Sequence, residues 1–99
     1  MKMKLHPGFR EEYKRRHDEL WPELKDLLKQ AGVEDYSIFL DEETNILFAV
    51  LTVTDEQAME ALPGTPVMKK WWNYMKDIMD TNPDNSPVSI DLEEVFYLK

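Results

Sequence analysis

Hydrophobic positions change period several times along the chain, and each change marks an element. Met1, Met3 and Leu5 alternate with Lys2 and Lys4, the two-residue period of a short half-buried strand. After His6-Pro7-Gly8 the apolar residues recur three and four apart, at Phe9, Tyr13, Leu20, Trp21, Leu24, Leu27, Leu28 and Ala31. That spacing predicts an amphipathic helix, closed by Gly32 in a left-handed conformation. Pro22 removes a backbone donor inside this helix and predicts a kink near residues 18–21. The segments "DYSIFL" (35–40) and "NILFAVLTV" (45–53) are rich in β-branched and aromatic residues, and "DEETN" between them reads as a hairpin loop. The second strand is apolar on both faces from Ile46 to Leu51, which predicts a central position in the sheet. "DEQAMEAL" (55–62) is a short helix with Thr54 as its expected N-cap, broken by Pro63-Gly64. Thr65 caps the next helix, with Pro66 in its first position, and the apolar period carries it to about Met79. "TNPDNSP" (81–87) is a dense turn cluster, and "LEEVFYL" (92–98) is the expected closing strand.

The resulting order, β-α-β-β-α-β, predicts an α+β, ferredoxin-like fold: one antiparallel sheet with helices on one face, in a single domain over residues 1–99. The opposite sheet face would then expose aromatic and aliphatic side chains from four strands. A second copy packed sheet to sheet covers such a patch with two-fold symmetry, so the pattern predicts a homodimer, a dimeric α+β barrel.

Charge narrows the partners. Twenty acidic residues against twelve basic ones give a formal net charge of -8, the wrong balance for a nucleic-acid binder. The basic clusters "KRR" (14–16) and "KK" (69–70) lie on helices and read as solvated faces. No apolar run approaches the ~20 residues that span a bilayer. The N-terminus has no apolar signal-peptide core, and there is no cysteine. The expected compartment is the cytoplasm, with no membrane partner, and the expected ligand is small and neutral.

The residues able to carry chemistry are few. Tyr13, His17 and Trp21 are spaced by four and share the inward stripe of the first helix. An imidazole there is either a partly buried structural group bonded to a carbonyl or a general acid–base near neutrality. His6, in a turn beside Pro7, is expected at the surface. Two histidines eleven apart match no recognised metal spacing, so neither a metal nor a cofactor is expected. Trp71 and Trp72 are adjacent, and neighbouring helical residues point about 100° apart. One ring therefore packs while the other faces a ligand, and the sequence does not say which. A methionine and aromatic stripe is usually core. Yet aromatics, His17 and the amides of "TNPDNSP" around one sheet end also suit a sugar, with rings against its C–H face and amides against its hydroxyls.

"EEYKRRHDELWPEL" (11–24), "DYSIFLDEETNILFAVL" (35–51), "PVMKKWW" (66–72) and "DIMDTNPDNSPVSIDLEEVFYL" (77–98) closely resemble the L-rhamnose mutarotase family, in register over nearly the whole chain. The resemblance implies the dimeric ferredoxin-like fold and, residue by residue, a proton donor at His17. It also implies sugar-binding tyrosines at Tyr13 and Tyr36 and tandem sugar-binding tryptophans at Trp71 and Trp72. The segment before Met3 is shorter than the family's, which implies a short first strand. The implied reaction interconverts the α and β anomers of L-rhamnopyranose. Opening the C1–O5 bond requires a proton at the ring oxygen and removal of one from the anomeric hydroxyl. The expectation is that His17 delivers to the ring oxygen and recovers the proton on closure, while the second group stays unassigned. The alternatives are a mutarotase for L-fucose or L-lyxose, and a non-catalytic sugar-binding or oxygenase-type barrel of the same architecture.

Overall fold

The computed structural model describes residues 1–99. Its first surprise concerns the long amphipathic stretch, which is two helices rather than one kinked helix. α1 spans Arg10–Asp18 and α2 spans Pro22–Gln30. Pro22 is the first residue of α2, where a missing N–H costs nothing. The residue before a proline avoids helical backbone, and Trp21 accordingly sits at φ −58°, ψ 131°. Residues 19–21 therefore separate the two helices, and the apolar stripe resumes on α2.

Gly32 ends α2 at φ +88°, as the sequence suggests. Its carbonyl accepts from the backbone N–H of Thr54, and a Cβ at this position would lie 2.4 Å from the Thr54 hydroxyl oxygen and 3.0 Å from the Asp55 nitrogen. Gly32→Ala therefore meets both backbone strain and a clash. A loss of about 1–3 kcal/mol is expected from the left-handed backbone alone, read as a lower urea midpoint at unchanged m-value.

The strands are β1 (Lys2–Lys4), β2 (Val33–Asp41) and β3 (Ile46–Val53), all antiparallel in the order β1-β3-β2. The doubly apolar β3 is central, as expected, and β1 is short. Tyr36 opposes Leu51, Ile38 opposes Ala49, and Leu40 opposes Leu47, which in turn opposes Met3. Cross-strand partners share a face, so these residues form the inner wall against the helices. Phe39, Phe48 and Val50 lie on the other face, where Phe39 is 60% and Val50 62% exposed.

The expected fourth strand at 92–98 is not formed. Ile90 makes a two-way backbone pair with Lys2 beside β1, and beyond it the chain leaves the sheet without regular pairing. Val95, Phe96, Tyr97 and Leu98 are all at least 70% exposed. A strand needs a partner edge, and this chain brings none to that segment.

α3 (Glu56–Ala61) is capped by Asp55, whose carboxylate accepts from the Ala58 N–H at 3.1 Å, and not by Thr54. Thr54 instead donates its hydroxyl to the Gly32 carbonyl. A 3-10 turn (Leu62–Gly64) follows, then α4 (Pro66–Met75), with Thr65 capping it as expected. α4 stops at Met75, not Met79. The chain turns there so that the Asp80 N–H can bond the Lys4 carbonyl and Met79 can pair with Leu5. Ile78 in the turn and Met79 in the bridge are thus buried, closing a core with Leu5, Leu24, Leu47 and Met75. No helix is long and apolar enough to cross a membrane.

Candidate active site

Between the inner sheet face and the helices lies an open cavity of about 920 Å³, walled mostly by apolar side chains. All five residues singled out from the sequence, Tyr13, His17, Tyr36, Trp71 and Trp72, line it. α1 supplies Tyr13 and His17 one turn apart, β2 supplies Tyr36, and α4 supplies both tryptophans. The turn after α4 adds Asn82 and Ser86, so part of the amide-rich cluster does reach the cavity.

His17 is half-buried and held from two sides. Its ring stacks on Tyr13 at 4.3 Å between centroids and meets Trp71 in a T-shaped contact at 5.4 Å and 89°. Its Nδ1 lies 3.0 Å from the Tyr13 carbonyl. A carbonyl can only accept, so Nδ1 carries the proton and donates, and Nε2 is left with a lone pair in the neutral ring. Burial lowers the imidazole's pKa, partly offset by that carbonyl and by Asp18. The resting ring is therefore neutral near pH 7. The two sequence readings of this histidine are compatible: it bonds a backbone carbonyl and still lines the cavity.

The phenols are shifted the other way. Burial raises the pKa of Tyr13, and the proximity of Tyr36 raises it further. Burial of the phenol likewise raises Tyr36. Tyr36 is 41% exposed as a whole, so its shift belongs to the part of the side chain that enters the cleft. Both phenols stay protonated at neutrality and can donate hydrogen bonds.

The tandem tryptophans divide as the helical angle requires. Trp71 is 7% exposed and lies at the centre of an aromatic cluster, edge-on to Trp21 at 5.1 Å and tilted against Tyr74 at 5.7 Å. Trp72 is only half-buried and contributes to the cavity wall. Trp71 is thus the packing ring, though it also lines the cavity and meets His17.

Several residues were not anticipated. Arg10, Lys14 and Asp18 also line the cavity, so charged groups border a site expected to take a neutral ligand, although Lys14 and Asp18 pair at 2.8 Å. Arg16 is not solvated: it is 9% exposed, against the reading of "KRR" as a surface cluster. Tyr74, three residues after Trp71, completes the aromatic cluster by stacking on Trp21 at 5.5 Å. Its spacing from Trp71 was the available signal. His6 is half-exposed and tied down, with Nε2 3.0 Å from Asp80 and Nδ1 3.3 Å from the Asp77 carbonyl.

Comparison with known proteins identifies the family. The family model for L-rhamnose mutarotase matches residues 1–98. An L-rhamnose mutarotase of Brucella anthropi is 63% identical over 97 residues, covering 98% of this chain and 92% of that protein. One from Mesorhizobium japonicum is 62% identical over the same shares. The crystal structure of an L-rhamnose mutarotase from Formosa agariphila superposes with a TM-score of 0.91 at 59% identity, covering 99% of this chain and 94% of that one. With a full-length family match, relatives at this identity and the same fold in three dimensions, the chain belongs to the L-rhamnose mutarotase family.

Proposed function

We infer that this chain is an isomerase that interconverts the α and β anomers of L-rhamnose, and that His17 exchanges a proton with the sugar through Nε2. The observation that carries the assignment is the tether of Nδ1 to the Tyr13 carbonyl at 3.0 Å on a ring that lines the cavity. It fixes the tautomer, so only Nε2 can take or return a proton.

The chemistry then balances with two groups. With the cyclic sugar bound, neutral Nε2 takes the proton of the anomeric hydroxyl as the C1–O5 bond breaks. A phenol, Tyr13 or Tyr36, supplies one to the ring oxygen. After the open-chain aldehyde rotates about C1–C2, the phenolate takes the proton back from the C5 hydroxyl as it attacks the other carbonyl face. The imidazolium returns its own to the carbonyl oxygen. This order makes His17 an acceptor first, where the sequence suggested delivery to the ring oxygen. The neutral resting ring supports the change. Trp72 and the apolar wall face the C6 methyl, and Asn82 and Ser86 meet hydroxyls. At about 920 Å³ the cavity lies near the top of the ~300–1,000 Å³ range of small-molecule sites. Shape alone rejects few monosaccharides, so L-fucose and L-lyxose are expected as weaker substrates. The test is saturation-transfer NMR on equilibrated L-rhamnose. Protein that adds no anomer exchange above buffer would refute the activity.

The working unit is proposed to be a ferredoxin-like homodimer. The order β1-β3-β2, with Ile90 beside β1, is three strands of that architecture plus the start of the fourth. The bare outer face and the exposed apolar residues Leu92, Val95, Phe96, Tyr97 and Leu98 of the unpaired segment 91–98 are the surfaces a second copy would cover. Sedimentation at micromolar concentration should give the dimer mass, and removing residues 91–99 should shift it to monomer. A native chain that sediments as a monomer at tens of micromolar would end this part of the proposal.

A further inference from the structure

The side chain that the sequence most clearly misplaced is Arg16. It lies next to His17 on α1 but points the other way, into the junction between α1 and the C-terminal end of α4. Its guanidinium is almost completely used. Nε donates to Glu12 at 3.0 Å, Nη1 donates to the Tyr74 carbonyl at 2.7 Å and to one Asp77 oxygen at 2.9 Å, and Nη2 donates to the other Asp77 oxygen at 3.2 Å. Its carbon lies 4.4 Å over the Tyr74 ring.

The carbonyls of the last helical turn have no partner within the helix. Arg16 satisfies that of Tyr74 and clamps Asp77 just beyond, so it fixes where α4 ends relative to α1. The same ring of Tyr74 touches Trp21 and Trp71, and Trp71 meets His17 in a T-shaped contact. A closed circuit results. Arg16 and His17 are joined directly through the α1 backbone and again through Tyr74 and Trp71 on α4.

We propose that Arg16 is a positioning residue for the mutarotase reaction: by locking the end of α4 to α1 it holds Trp71 against the His17 imidazole and so keeps Nε2 aimed at the sugar. The proposal rests on the His17 role above. A planar fork suits this task because it engages two oxygens of one carboxylate and a carbonyl at once, whereas an ammonium is a single point of charge.

Three variants test it. Arg16→Met keeps the packed stem and removes the fork; Arg16→Lys keeps the charge alone; Asp77→Asn weakens the clamp from its exposed side and buries no new charge. Anomer exchange is measured as kcat and KM on protein confirmed as folded, with the His17 imidazole proton shifts recorded alongside. Arg16→Met is expected to lower kcat about tenfold at nearly unchanged KM, since a misplacement of about 1 Å can cost up to ~10²-fold. It should also move the His17 resonances, which sit in the ring currents of Trp71 and Tyr13. Arg16→Lys should recover only part of the loss, and Asp77→Asn should lose a few-fold with a smaller shift in the same direction. If Arg16→Met does not fold, Asp77→Asn and Arg16→Lys decide. Native kcat and native His17 shifts in the folded variants would overturn the proposal, leaving Arg16 only a stabilising contact. The His17→Gln control separates the levels: if it exchanges at the native rate, the site assignment itself fails; if it is inactive while the Arg16 and Asp77 variants are native, only the positioning role does.

Discussion

His17→Gln is expected to remove nearly all of the catalysed exchange, a loss of about 10²–10⁴ in rate, the usual contribution of a positioned acid–base group. Glutamine can still hydrogen-bond but cannot bind and release a proton near neutrality. Because the sugar also opens slowly in water, the measurement is the saturation-transfer rate above buffer, and the variant should approach the buffer value. The native pH profile follows from the sign of the shift. Burial lowers the His17 pKa, so the ring is neutral at pH 7 and activity should be level there. It should fall only as the solution is acidified through that lowered pKa, because protonated Nε2 has no lone pair to accept with. A rate that instead falls as the pH rises through this range would make the imidazolium the starting form and return the first step to proton delivery at the ring oxygen. Stability has the same sign. The unfolded imidazole protonates from about pH 6.5 downward while the folded one resists, so stability present above about 6.5 declines as the pH falls toward the folded value. In His17→Gln that contribution to the acid limb should be absent from urea titrations.

Trp71→Ala and Trp72→Ala should separate into a folding defect and a binding defect. Trp71 packs on His17, Trp21 and Tyr74 and is nearly inaccessible to solvent. Truncating a buried aromatic costs about 3–5 kcal/mol, a large part of the ~5–15 kcal/mol that holds a domain folded. The variant should melt far below the native protein, and any folded fraction should show a low kcat because the imidazole loses one wall. Trp72 is half-buried on the cavity side. Its removal should change stability by only about 1 kcal/mol and raise KM for L-rhamnose about tenfold, equivalent to about 1.4 kcal/mol of binding. Equal effects of the two substitutions on stability would contradict this division.

Much of the candidate site was legible because it depends on short spacings. Tyr13 and His17 are four apart, and a helix places such residues on one face whatever else surrounds it. Thr65-Pro66 and Gly32 carry their own backbone chemistry, so α4 begins and α2 ends where the sequence suggested. Tyr36 was different. Its place in the site came from the family resemblance, because β2 alternates and its register against β3 decides which face a residue takes. The capping of α3 by Asp55 instead of Thr54 was a choice between adjacent residues, settled when Gly32 claimed the Thr54 hydroxyl. Arg16 was misread because an arginine in a basic run is normally solvated. Its burial required a carboxylate and a carbonyl about sixty residues away to arrive at one point.

The sequence by itself determined the number and kind of most elements, the central position of β3, the inward stripe of α1 and, through its motifs, the family. These follow from interactions within a few residues and from which faces are apolar. Only the tertiary structure decided that Trp71 is the buried ring of the pair, that Arg16 is buried, and that segment 92–98 has no partner on its own chain. Each of those outcomes depends on the angle and distance at which remote elements meet. That geometry is set by packing the whole chain and is not carried by any local pattern.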